Sequence, residues 1–281
     1  MQRIITNYHT HTSFCDGKDT PSDTAAAAFE KGVSILGFSS HCMYPFTSPW
    51  HIPLDKIQSY CTEINCLKEE YKDKMAILLG FEAEFIPDVT CPRMDAYTEF
   101  SPDYLIGAVH YVGSKNGIFA VDDSAENVQA GIDKVFNGNG KLAVCEYFAR
   151  QREMLAAGNF AILAHADLVR KRNGKLHFFD ENDSWYKKEL VATAKAAAKA
   201  GVIVEINTGA ISRKAMDDVY PSARFLEIIK EHGIPVTFSS DSHTANTVIA
   251  DFDRAENAAR KAGYTEIMYI NANGQALSQN L

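Results

Sequence analysis

Two histidines, His9 and His11, stand one residue apart in YHTHTSFCDG, and Asp16 follows five residues later. On an extended chain, side chains at i and i+2 point to one face. Both imidazoles then project to the same side of a short strand end. Two neutral imidazoles beside a carboxylate can hold a divalent cation. Alone, the fragment reads equally as a metal site or as a merely polar chain start. Further residues of the same chemistry recur along the chain. His41 ends VSILGFSSH, Glu82 lies in AILLGFEAEF, His110 in DYLIGAVHYV and His165 in FAILAHADL, while Asp241 and His243 end IPVTFSSDSH. Three carboxylates converging in one pocket repel one another and raise their own pKa values. Divalent cations remove that conflict, so metal binding is expected.

The elements that must position these residues are short apolar runs at 4–11, 33–41, 76–85, 103–112, 160–168, 202–210 and 234–243. Longer amphipathic stretches separate them, at 20–32, 54–71, 185–201 and 221–233, with two more helices around 124–136 and 140–157 split by NGNG. Three of these stretches end in glycine, a common helix stop. Thr20-Pro21-Ser22-Asp23 marks a helix start. Continuously apolar strands separated by helices predict a parallel sheet covered on both faces. An open doubly wound sheet and a closed barrel both fit that alternation. The polar residues separate them, because each run carries its His, Asp, Glu or Asn (Asn207 in VIVEINTGA) toward its C-terminal end. In a barrel those ends meet around one pocket. The fold class is therefore α/β, a seven-stranded (β/α) barrel of the TIM-like kind. No linker or internal repeat divides the chain, so one domain over 1–281 is expected.

Composition agrees. The 281 residues are 46% hydrophobic and 23% charged, enough for a sizeable core, and the net charge is −8. An acidic balance argues against a nucleic-acid partner. No apolar run approaches a membrane span, and MQRIITNYHTH lacks the apolar region of a secretory signal. A cytoplasmic protein is expected, its six scattered cysteines reduced. Cys15 and Cys42 neighbour candidate ligands and read as packing residues. His51, His177 and His232 lie outside the strand ends. His51 and His177 either line a pocket mouth or belong to ordinary loops.

As a set, YHTHTSFCDG, SSH, GFEAEF, GAVHY, LAHADL and SDSH resemble the polymerase and histidinol phosphatase (PHP) family, in the expected order from His9 to His243. The resemblance implies a distorted (β/α)7 barrel and three divalent metal ions, with zinc, iron or manganese suited to mixed N/O ligands. It implies one ion on His9, His11, Glu82 and Asp241. A second would share Glu82 and add His110 and His165, and a third would take Asp16, His41 and His243. Length and the aspartate at Asp16 look like the stand-alone histidinol-phosphate phosphatases. Arg213, in NTGAISRK, and Arg170, in HADLVRKRN, are the implied phosphate-binding cations, with Lys171 and Arg172 as neighbours that compete for the second role.

The implied activity is hydrolysis of the phosphomonoester L-histidinol phosphate by a metal-bridging hydroxide, a step of histidine biosynthesis. Three divalent ions, three carboxylates and one hydroxide leave a site charge of about +2, matched to a phosphomonoester dianion. Glu82 bridges metals, and Asp241 and His243 are both placed to serve the leaving group. The aromatic loops at 42–53 and 171–183 read as specificity loops or as self-packed surface. Rival readings are another phosphomonoester, a phosphodiester or a nucleotide as substrate, an amidohydrolase-like barrel, and a non-catalytic metal-binding domain. No lysine ends a mid-barrel run, which counts against the amidohydrolase. All nine ligand positions are filled, which counts against decay.

Overall fold

The computed structural model describes residues 4–281; Met1–Arg3, the first residues of the expected domain, lie outside them. Strand β1 (Thr6–Asn7) is followed by helix α1 (Pro21–Glu30). The expected start is a capping box: Thr20 Oγ1 accepts from Asp23 N at 3.1 Å, and Thr20 N donates to the Asp23 carboxylate. The second apolar run divides into β2 (Ile35–Phe38) and β3 (His41–Cys42), with Ser39-Ser40 between them in neither strand. Helix α2 (Ile57–Tyr71) leads to β4 (Ala76–Glu84), the longest strand of the barrel. Strand β5 (Tyr104–Ala108) ends before His110, where the chain turns out into a hairpin, β6 (Tyr111–Ser114) and β7 (Gly117–Ala120). The 103–112 run is thus two strands.

Helices α3 (Ala125–Phe136) and α4 (Gly140–Ala157) follow, as the sequence predicts. Then come β8 (Ile162–Leu163), α5 (Asn173–Leu176), α6 (Ser184–Ala200), β9 (Ile203–Asn207), α7 (Gly209–Ser212), α8 (Ala223–Glu231) and β10 (Val236–Ser239). Helix α9 (Phe252–Lys261) and the hairpin of β11 (Glu266–Ile270) and β12 (Ala276–Asn280) complete the chain.

The barrel strands run in the order β1-β2-β4-β5-β8-β9-β10, all parallel, with β3 also paired to β4. A parallel bridge between Thr10 and Ser242 joins the first and last strands, with His11 N donating to Ser242 O at 2.8 Å. This is the distorted seven-stranded barrel expected, its seam stitched by a bridge and not by a full ladder. Asn7 reinforces the seam from inside, donating to Ser240 Oγ and Val248 O, both at 2.8 Å.

Strand alternation then sorts side chains between two environments. In β4, Ile77, Leu79, Phe81 and Ala83 join the apolar layer under the helices, and Leu78 joins the barrel interior. The same period carries Glu82 and Glu84 inward at the upper end. The lower interior is filled by Tyr8, Ile35, Leu78, Tyr104, Ile106, Ile162 and Ile203. Tyr104 lies across Gly37 and Gly80. A Cβ at Gly37 would stand 2.3 Å from its hydroxyl, and one at Gly80 2.5 Å from its ring. Its hydroxyl faces the carbonyls of Tyr8, at 2.6 Å, and Phe38, at 3.1 Å. The final hairpin seals this end: Tyr8 Oη bonds Ile270 O and accepts from Ile270 N, and the Gln279 amide pairs with both backbone groups of Ile4. Among the described residues no helix is long and apolar enough to cross a membrane.

Candidate metal centre

At the upper end the nine expected ligands come together. Glu82 is 1% exposed and stands at the middle. Its Oε2 is 2.8 Å from His41 Nδ1, 2.9 Å from His9 Nε2 and 3.4 Å from His11 Nε2. Its Oε1 is 2.9 Å from His165 Nε2 and 3.4 Å from His110 Nε2. One carboxylate thus meets five imidazoles, three on one oxygen and two on the other. Asp241, at a positive φ of 47° just past β10, turns its Oδ1 to within 3.2 Å of His11 Nε2. Asp16 reaches in from the turn after His11, its Oδ2 3.1 Å from His243 Nε2.

Two of these approaches, His165 Nε2 to Glu82 Oε1 and His243 Nε2 to Asp16 Oδ2, are hydrogen bonds; others are not. His9 Nε2, His11 Nε2 and Glu82 Oε2 are buried and have no partner in hydrogen-bond geometry. Orphaned buried polar atoms are rare and call for an explanation. Here the orphaned atoms are all metal-ligating atoms converging on common points. The ligand atoms group as His11/Asp16/His41/His243, His9/His11/Asp241, His9/Glu82/His165 and His41/Glu82/His110, each within 4.8 Å. Mixed imidazole and carboxylate sets of this kind fit zinc, iron or manganese.

Carboxylates outside this shell fix the imidazoles, and the sequence reading missed them. Glu205 Oε2 holds His9 Nδ1 at 2.9 Å, and its Oε1 accepts from His165 N at 2.8 Å and from Asn207 Nδ2 at 2.6 Å. Glu84 accepts from His110 N at 2.9 Å and holds its Nδ1 at 2.8 Å. Each pairing leaves Nε2 aimed at the centre, which orients a ligand and raises its basicity. Period-two spacing from Glu82 and from Asn207 was the available signal.

Electrostatics follow. Burial pulls His9 down, but Glu205 and Glu82 outweigh it and hold the imidazole well above its usual value. For His110, burial is likewise outweighed by Glu84 and Glu82, which push it up to about 10. His11 goes the other way, lowered well below 6.5 by burial and by His243 and His41. Burial opposes ionisation of Glu82 and Asp241, yet imidazoles for the first, and Arg213 and His9 for the second, keep both well below the carboxylate range.

A cavity of about 340 Å³ opens above the cluster. Two cations face it. Arg213, at the end of α7, grips Asp241, with Nη1 3.0 Å from Oδ1 and Nη2 2.8 Å from Oδ2. Lys171 is the other, its Nζ 3.1 Å from Asp122 Oδ2. Arg170 lies outside the cavity, paired to Asp167, Glu181 and Asp218. Arg172 is spent on the carbonyls of Asp122 and Asp123. Of these three neighbouring cations, only Lys171 lines the cavity.

The two aromatic loops also part. Trp50 lines the cavity, 4.6 Å from the His41 ring, its Nε1 donating to Tyr111 Oη at 3.0 Å. His51 stacks beneath it, bonded to Ser48, and burial with His41 and His110 nearby lowers it to about 3. In the second loop His177 is exposed, and Phe178 and Phe179 pack on the core. Cys15 lies 3.7 Å from His11 Nδ1, but burial and Asp16 push its thiol up to about 11. Cys42 packs in the core, and all six cysteines are free.

Three comparisons place this geometry. A probable histidinol-phosphatase of Schizosaccharomyces pombe is 29% identical over 280 residues, covering 93% of this chain and 88% of its own. One of Deinococcus radiodurans is 28% identical over 258 residues, covering 91% and 92%. The crystal structure of a histidinol phosphate phosphatase from Lactococcus lactis, complexed with zinc, L-histidinol and phosphate, superposes with a TM-score of 0.69 at 21% identity, over 96% of this chain and 97% of that one. The PHP domain model matches residues 7–209, and the chain belongs to the PHP domain family.

Proposed function

We propose that the protein is a metal-dependent phosphomonoesterase acting on L-histidinol phosphate, its 281 residues working as one domain. The observation that carries this reading is the convergence of nine metal-ligating side chains, several with orphaned atoms, on a cavity that also presents Lys171 and Arg213. The names of the two relatives, and the zinc, histidinol and phosphate bound by the Lactococcus lactis protein, support it.

Three divalent ions would be held by His9, His11, Glu82 and Asp241; by Glu82, His110 and His165; and by Asp16, His41 and His243. Bound there, such ions supply Lewis acidity toward a phosphoryl group and lower the pKa of water. The rest of the work belongs to the chain. Glu82 offers an oxygen to each side of the site, which suits a bridging carboxylate. Asp241, held ionised beside Arg213, acts as an acceptor and not as a proton donor. Arg213 and Lys171 meet the phosphoryl oxygens, the first with a planar fork and the second as a point charge. Trp50 and Asp122 give the cavity an aromatic wall and an acidic one, suited to a cationic organic group.

The test is phosphate release from L-histidinol phosphate, p-nitrophenyl phosphate and a bis-ester after loading with zinc, manganese or iron. A preference for the first in kcat/KM is expected. Equal turnover of the others would remove the substrate, and no turnover by metal-loaded protein would remove the activity.

A further inference from the structure

After β8 the chain forms a tight turn, Leu168–Arg172, and its side chains divide. Lys171 enters the cavity, whereas the Arg170 side chain, 9% exposed, enters a ring of three acids. Its Nε is 2.7 Å from Glu181 Oε2, its Nη2 2.9 Å from Asp218 Oδ2, and its Nη1 3.5 Å from Asp167 Oδ2. The acids come from three separate connections: the loop after β8, the segment between α5 and α6, and the segment between α7 and α8. Asp167 also accepts from Ser222 N at 2.8 Å, tying the β8 loop to the start of α8. Asp218 lies on the segment that runs on from Arg213.

From this we infer that Arg170 is a positioning residue. Its guanidinium clamps the loop bearing His165 and Lys171 to the segment bearing Arg213, and so sets the spacing of the two cations that face the cavity. The inference rests on the phosphatase reading for its consequence and on geometry alone for its existence. An arginine is suited to the place because it holds five N–H donors in a fixed planar fork, whereas an ammonium offers three donors on a flexible stem. Without the guanidinium, the buried Asp167 loses its counter-charge, the partly exposed Glu181 and Asp218 lose the group that joins them to it, and the segments they belong to separate.

The test uses Arg170→Lys and the double variant Glu181→Gln/Asp218→Asn, whose acids are 35% and 44% exposed, so that folding is retained. Four quantities are read: kcat and KM for L-histidinol phosphate, Ki for inorganic phosphate, metal content, and hydrogen exchange over residues 166–173. In the double variant, KM and the phosphate Ki are expected to rise about tenfold from misplacement of the binding groups. Turnover should hold within about threefold at unchanged metal content, with faster exchange over 166–173. Arg170→Lys should move every quantity the same way. If Arg170 instead bound phosphate itself, freeing it from two acids would lower KM and Ki; that result, or unchanged values, overturns the inference. Should the unaltered metal-loaded protein hydrolyse no phosphomonoester, the phosphatase reading falls. Hydrogen exchange then judges the clamp, and unchanged exchange in both variants overturns it.

Discussion

The two ends of the barrel are made by the same strands and obey opposite rules. The lower interior is apolar, and its polar atoms, Tyr8 Oη and Tyr104 Oη, find backbone partners. The upper interior buries five of the six candidate ligand imidazoles, with His243 half-buried, together with Glu82, Glu84, Glu205 and Asp241, and leaves several of their atoms unpaired. Burying charge costs free energy unless partners compensate it. Rigidity comes from below, and the cost of the site is carried by a frame that does not share its chemistry.

Substitutions can break that division. The largest effect on activity is expected from Glu82→Ala, which removes the oxygens that five imidazoles face. Nearly all turnover should go, along with metal from the two sites that Glu82 is proposed to bridge, and full turnover at reduced metal content would refute the bridging role. Next comes Glu205→Gln, which keeps the shape and weakens the hold on His9 and His165. A loss of about 10–100-fold in metal affinity or activity is expected, read by competition with a chelator. Affinity equal to that of the unaltered protein would make Glu205 mere filling.

Tyr104→Ala tests the lower end. It should cost about 3–5 kcal/mol through the cavity it leaves, while kcat/KM per folded molecule stays within about threefold. Denaturant melts and active-site titration separate the two, and a selective loss of activity would erase the division drawn here.

The smallest effect concerns pH in chelated protein. His110 is raised to about 10 from 6.5, so its protonated form contributes stability that is complete below 6.5 and lost as pH rises through about 10. Chelated protein should therefore melt at progressively lower temperature across that window, and His110→Gln should flatten the trend. A slope unchanged by that substitution would exclude His110 as its source.

Much of this was legible in the sequence because every barrel strand but β9 is followed or ended by a candidate ligand. His9, His41, Glu82, His165 and Asp241 follow apolar runs whose length and spacing already require a parallel sheet. Strands split by short breaks were harder. Ser39-Ser40 and the turn near His110 interrupt runs that are continuously apolar in composition. Glu84 and Glu205 escaped because an acid within an apolar strand has a meaning only once its face is known. Arg170 and Lys171 are adjacent, and only the tight turn decides which of them meets the cavity. In Phe178 and Phe179, aromaticity in a loop signalled packing on the core and not a pocket wall.

The seam between the first and last barrel strands sets an order of events during synthesis. Asn7 and Ser240, which close it, are 233 positions apart. At about 5–20 residues per second, the imidazoles of His9 and His11 leave the ribosome roughly 10–50 seconds before Asp241 and His243 are made. Contacts this distant in sequence form late in folding. The complete site thus forms only once Asp241 and His243 have been made, and a nascent chain that stops short of them carries His9 and His11 without either.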